Sequence, residues 1–322
     1  MKTRTIIFKY FFFIASAVTT FFAGCTKEDE PVNGDTPIAV SLNTQIQSLT
    51  RTTADGNTWI QGDEVGIYML TANGMWPESF LTSAENKKYT VQNTTTGVLA
   101  PADGKDVYYP LSGDIDIVAY YPYGTPESHT GSDNQPLPYS ISVNLSDQSN
   151  PAAIDLLYAK AKGISKGSTP VNLQFGHVFS RITLNVAAGD GFTDSDIERL
   201  TAADVTISQC PAYLTVDIQN GDVSNNRSTS FPLYKNNPPL SDGSVIFSAI
   251  IPPGSRQDYP ITFMMNGMDY HCTLTSDDRF LAGNNYVYPV TVSKTGVVAD
   301  PPTITDWKTN DHGITDLTPV SM

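Results

Sequence analysis

Apolar residues at every second position, broken by glycine and proline, dominate this chain, and a period of two belongs to the strand. Ile38, Val40, Leu42 and Ile46 fall on one face of residues 38–46, and Val65, Ile67 and Met69 repeat the pattern. Runs at 105–109, 115–121 and 139–145 are bounded by turn signals such as Tyr121-Pro122-Tyr123-Gly124. A second series covers 171–175, 178–187, 205–208, 213–218, 245–251, 261–265, 270–275 and 286–292, with Asn220-Gly221 as a hairpin signal. Many short strands at this spacing specify a sandwich or a barrel. Helix is confined to 193–202, which opens on Asp194-Ser195-Asp196, while 154–162 fits either a helical turn or an edge strand. The 322 residues suffice for two domains, and the Gly/Ser loop 163–170 marks the boundary between 38–169 and 170–322.

The N-terminus is of another kind. Lys2, Arg4 and Lys9 precede an uncharged, mostly apolar run at 10–22, which is too short to span a bilayer, since that needs about 20 residues. It closes on Phe21-Phe22-Ala23-Gly24-Cys25, which resembles a bacterial lipobox. Residues 1–24 then read as a lipoprotein signal peptide, and Cys25 as the lipid-attachment residue that starts the mature chain. Thr26-Lys27-Glu28-Asp29-Glu30 resembles the lipoprotein export tag of Bacteroidetes, which implies display on the outer face of the outer membrane. Residues 25–37 read as an acidic tether.

Charge excludes one class of partner. The formal net charge is −14, and loss of Lys2, Arg4 and Lys9 with the signal peptide takes it to −17. Nucleic acid wants a basic face, and anionic lipid would be repelled, so the outer membrane is reached through acyl chains. Beyond Cys25 the cysteines are Cys210 and Cys272, read equally as a disulfide or as two buried thiols.

Chemistry-bearing motifs are weak. Gly163-Ile164-Ser165-Lys166-Gly167 has the G-x-S-x-G form, but Pro170 and a strand follow where a nucleophile elbow needs a helix. His129, His177, His271 and His312 have no metal-ligand spacing, and His177 reads as a hydrogen-bonded structural residue. Asp114 and Asp116, and the pair Asp277-Asp278, read as turn and edge charges. Asp63 reads as a turn cap. Trp59, Trp76 and Trp307 fit a core better than a glycan platform. No cofactor or metal is expected, and the chain reads as a non-enzyme.

In order along the chain come Leu49-Thr50-Arg51-Thr52-Thr53, then Trp59-Ile60-Gln61-Gly62-Asp63-Glu64-Val65-Gly66-Ile67-Tyr68-Met69, Tyr120-Tyr121-Pro122 and Asp155-Leu156-Leu157-Tyr158-Ala159. Phe175-Gly176-His177-Val178-Phe179-Ser180-Arg181-Ile182, Ala249-Ile250-Ile251-Pro252-Pro253-Gly254, Tyr286-Val287-Tyr288 and Ile304-Thr305-Asp306-Trp307 follow. Together with the lipobox these resemble the fimbrillin family of Bacteroidales, in its fimbrillin-like branch. The resemblance implies an all-β chain of two β-sandwich domains with transthyretin-like topology. It implies a structural or accessory component of surface fimbriae that serves adhesion. Its partners would be other fimbrial subunits and ligands on host or bacterial surfaces. It further implies proteolysis after an arginine, here Arg51, loss of the strand carrying Ile38, Val40, Leu42 and Ile46, and refilling by a neighbour's strand. Burying those four side chains is worth about 6–12 kcal/mol gross, comparable with a whole domain's stability of about 5–15 kcal/mol. The donor expected of the family is the C-terminal region, here 303–322. Its apolar residues Ile304, Trp307, Ile314, Leu317 and Val320 do not keep a strand's period. The alternative is a lipid-anchored glycan-binding surface protein of a polysaccharide uptake system.

Overall fold

A computed structural model describes residues 36–47, 59–127, 139–201, 204–237, 239–255, 259–265, 267–274 and 279–307. The first half of the chain contributes β1 (Leu42–Ile46), β2 (Glu64–Thr71), β3 (Lys87–Asn93), β4 (Val98–Pro101), β5 (Ile115–Tyr121), β6 (Ser140–Asn144), α1 (Pro151–Ile154), β7 (Leu157–Ile164) and β8 (Val171–His177). The second half begins with β9 (Ser180–Ala188), α2 (Asp194–Glu198), β10 (Val205–Asp217), β11 (Val223–Pro232), β12 (Tyr234–Asn236) and β13 (Val245–Ile251). It continues with β14 (Gly254–Ser255), β15 (Tyr259–Met265), β16 (Met268–Leu274), β17 (Arg279–Phe280), β18 (Asn284–Ser293), β19 (Gly296–Ala299) and β20 (Thr303–Asp306).

The first seven-strand set is a closed barrel in the order β1-β4-β3-β2-β5-β7-β8, not the expected sandwich. The physical reason is the last pairing. β8 returns beside β1 in parallel, from Leu42↔Val171 to Ile46↔Phe175, so the sheet has no open edge. A barrel this narrow is filled by side chains. Its interior holds Leu42, Val65, Ile67, Met69, Tyr89, Val91, Leu99, Ile117, Leu173 and Phe175.

Most of the remaining strands form two sheets over one shared core, and β14 pairs β17 in a separate two-stranded sheet. One runs β11-β10-β15-β16, with β6 on the second half of β10, and the other runs β12-β13-β9-β18-β19, with β20 on β18. Leu184, Phe247 and Tyr288 of the second meet Ile207, Leu214 and Phe263 of the first in a single buried cluster. The expected boundary at 169/170 falls inside an interlocked arrangement. β8 belongs to the barrel, and β6 leaves it to pair β10 from Tyr213↔Asn144 to Asp217↔Ser140.

β2 and β5 explain that interlocking. Val65, Ile67 and Met69 face the barrel interior, while Tyr68 and Tyr120 on the opposite faces join the second core. A strand buried on both faces reads as a continuous apolar run. The Tyr120 ring lies over Gly66, where a Cβ would sit 2.2 Å from its Cε1. Its hydroxyl lies 2.7 Å from Asn86 Oδ1 and accepts the Gly124 N–H at 3.2 Å. Burial pushes that phenol up to about 12.

Several elements depart from the sequence reading. The segment 105–109 makes only an isolated bridge, Tyr108 to Ala39. The expected 205–208 and 213–218 are one strand, β10, kept continuous by register shifts around Gln209 and Pro211, with Gln209 at φ 57°. Cys210 and Cys272 are free thiols, both pushed up to about 12 by burial.

Gly66→Ala is expected to displace the Tyr120 ring and destabilise the protein by about 1–3 kcal/mol, the usual cost of overpacking. A urea unfolding curve with a lowered midpoint and an unchanged slope checks it.

Candidate functional site

The seam around β1 is where the sequence reading and the geometry meet. β1 is held along both edges. On one side it runs parallel to β8, and on the other it meets β4 at Leu42↔Leu99 and Asn43↔Val98. Upstream, the Val40 N–H donates to Val107 O at 2.8 Å and Ile38 O accepts the Tyr109 N–H at 3.0 Å. Downstream, the Gln47 N–H donates to Phe175 O at 2.6 Å. Residues 38–47 thus behave as one extended tenant of a groove between two walls.

Alternation decides what faces inward. Val40, Leu42 and Thr44 are buried at 5, 2 and 2 % exposure, and Ile46 is half-buried against the same core. Ile38 remains 38 % exposed, so the contribution anticipated from four buried side chains rests chiefly on Val40 and Leu42. Cys25 and Arg51 lie outside the described residues.

The groove fits its tenant imperfectly. Among the described residues, four buried side-chain polar atoms lack a hydrogen-bond partner: Thr44 Oγ1, Trp59 Nε1, His177 Nε2 and Asn185 Oδ1. Three of these follow the seam. Thr44 points inward from β1, Trp59 packs edge-on against Phe175 at 5.1 Å, and His177 ends β8. A buried unsatisfied hydroxyl costs about 1–3 kcal/mol. Nothing in the strand reading exposed this, because threonine is at home in strands and its partner is a matter of tertiary packing.

One glycine sets the approach of the wall. Gly97, at φ +67°, precedes β4, accepts the Thr44 N–H at 2.8 Å, and would carry a Cβ only 1.9 Å from Thr44 O. Any side chain there collides with the β1 backbone.

His177 is braced rather than free to react. Its Nδ1 lies 2.8 Å from Asp155 Oδ1, and its ring stacks on Trp307 at 4.4 Å with 5° between the planes. Asp116 is likewise a structural carboxylate, accepting the Asn73 and Gly163 N–H groups at 3.0 and 2.8 Å. Asp63 caps its turn by accepting the Ile60 N–H at 2.8 Å, and burial raises its carboxyl above the usual range. Ser165 follows the end of β7 and leads into β8 through a turn, with no helix behind it. Among the described residues no three His, Cys, Asp or Glu side chains are grouped to hold a metal. Trp59 and Trp307 are buried, and Trp76 is half-buried in a cluster with Tyr68, Phe80 and Tyr139. A cleft of about 720 Å³ beside that cluster is lined by Phe80, Glu85, Lys87 and Asp103. Its Lys87 and Asp103 already pair at 3.0 Å.

The fold is shared with known proteins. A crystal structure of a Bacteroides uniformis protein assigned to cell adhesion superposes with a TM-score of 0.63 at 27% identity, over 87% of this chain and all of that one. A Bacteroides ovatus structure with the same assignment gives 0.61 at 21% identity, over 84% and 98% of the two chains, which shows the fold. A Bacteroides uniformis protein that carries the name fimbrium subunit Fim1C is 28% identical over 93% of this chain and 95% of its own length. The fimbrillin-like family profile matches residues 50–307, and the chain belongs to that family. Family and relatives support a fimbrial subunit role at the cell surface. Among the described residues no helix is long and apolar enough to cross a membrane.

Two substitutions test the seam. Gly97→Ala should destabilise the protein by about 1–3 kcal/mol, with faster hydrogen exchange at the Val40 and Thr44 amides and none at Phe247. Thr44→Val, which removes the unpaired hydroxyl at nearly constant shape, should raise stability by about 1 kcal/mol in the uncut chain, read from thermal melting.

Proposed function

We propose that the chain is a structural or accessory fimbrial subunit, exported as an outer-membrane lipoprotein through Cys25 and activated by cleavage after Arg51. Cleavage releases residues 38–47, and a strand from a partner subunit takes their place. The observation that carries this reading is the position of β1. It closes the barrel along both edges, yet it is the first described strand, so one cut between it and Trp59 frees it without severing any other described strand. The vacated groove would present the free edges of β8 and β4 over an apolar floor, and β-strand addition satisfies such edges and refills the floor in one step. The cut falls in a small-residue polar stretch, Thr50-Arg51-Thr52-Thr53-Ala54, the composition proteases favour. The role needs no catalytic group and no cofactor. Adhesion to host or bacterial surfaces follows from display in a fimbrium.

A lipid-anchored glycan-binding protein is the rival reading. It calls for an exposed aromatic platform, whereas Trp59 and Trp307 are buried. Intact mass and N-terminal analysis of the surface protein separates the two. The fimbrial reading expects a chain that starts at Thr52, carries no lipid and sits in a polymer, with Arg51→Ala arrested as an acylated monomer. A wild-type chain found only with an acylated Cys25 start would instead support a tethered lipoprotein and end the exchange model for this chain.

A further inference from the structure

We infer that the strand that refills the β1 groove comes from a different polypeptide, not from residues 303–322 of a second copy, and that it carries a β-branched aliphatic residue where Thr44 now sits. This rests on the strand-replacement reading above and adds the chemistry of the partner.

The groove reads its occupant at four alternating stations, now filled by Val40, Leu42, Thr44 and Ile46. The register places Leu42 beside Val171 and Leu99, Thr44 beside Leu173, and Ile46 beside Phe175. All four wall residues are buried and apolar. A strand that fits must therefore offer, with a period of two, apolar side chains at the first, second and fourth stations and an uncharged one at the third. It must also donate a backbone N–H to Gly97 O at the third station, as Thr44 does at 2.8 Å.

The segment 303–322 fails the side-chain demand in every frame and the N–H demand in one. Frames that start at 312, 314 or 316 bring Asp316 inside, and those that start at 313 or 315 bring Pro319. In the frame starting at 315, Pro319 falls at the Thr44 station and has no N–H for Gly97 O. Frames that start at 304, 306 or 308–311 insert Asp306, Lys308, Asp311 or Asp316. A carboxylate or ammonium among Val171, Leu173 and Phe175 would be buried without a counter-charge. The remaining frames, from 303, 305 and 307, all use Trp307, which is buried and stacked on His177, while Ile304 is paired with Tyr286 in β20.

Thr44 supplies the preference among strands that do fit. Its Oγ1 is buried without a partner, beside a wall whose register neighbour is Leu173. Valine or isoleucine keeps the branched shape that strands favour and removes the orphaned group. The resident strand is thus a weaker tenant than an apolar competitor of the same register, which gives replacement a downhill direction.

The test uses the full chain cleaved at Arg51 by an arginine-specific protease in the presence of fluorescein-labelled peptides, read by anisotropy after removal of free peptide. Three peptides are compared: residues 38–47, the same peptide with Thr44→Val, and residues 303–322. The expected result is binding of the 38–47 peptide, about tenfold tighter binding of its Thr44→Val form, and no retention of 303–322. Retention of 303–322 within a few-fold of the native strand would overturn the inference while leaving strand replacement intact, and so would equal binding of the two 38–47 peptides. Failure of both 38–47 peptides to bind the cleaved chain would sink strand replacement itself, and the inference with it.

Discussion

The parallel pairing of β1 with β8 is the contact on which the first half of the molecule depends. Each of the other barrel neighbours is antiparallel, so those six strands alone would make an open sheet with two exposed edges. β1 removes both edges at once, because it meets β8 on one side and β4 on the other. The same motif recurs in the second half, where β9 runs parallel to β18 from Arg181↔Asn285 to Ala188↔Val292. There the parallel strand is central and held between two long neighbours. In the barrel it is short and next to the chain's first described residues.

The proposed release of β1 does not require the whole molecule to be weak. β2 and β5 lend one face to the barrel and the other to the larger core, so the side of the barrel remote from β1 is buttressed by Tyr68, Val118 and Tyr120. β6 adds a second tie through β10. Among the described residues the seam is held by its own hydrogen bonds and by Val40, Leu42 and Ile46, and it carries unpaired polar atoms.

Much of this was legible from residue order. The alternation in 38–46 marked the strand and two of its three most buried stations, Val40 and Leu42, while polarity hid the third, Thr44. Among the strands that the sequence reading did not name, β3 and β11 escaped for related reasons. β3 places Lys87 on its inward face with Tyr89 and Val91, and the buried lysine, paired with Asp103, breaks the apolar count. β11 is a polar edge strand, Val-Ser-Asn-Asn-Arg-Ser-Thr-Ser-Phe-Pro, whose ladder to β10 supplies what its side chains do not advertise. Conversely, 105–109 alternates convincingly but finds a single bridge, since a strand exists only where another backbone lies alongside it.

By itself the sequence determined the all-β character, the inward face of the first strand and the family to which the chain belongs, because side-chain period and turn residues are local properties. Only the tertiary structure decided that the first sheet closes into a barrel, that β6 and β8 cross the expected boundary, and that Thr44 Oγ1, Trp59 Nε1 and His177 Nε2 are left without a hydrogen bond along one seam. Closure, strand exchange between sheets and polar satisfaction all depend on which distant backbones become neighbours, and no local pattern encodes that.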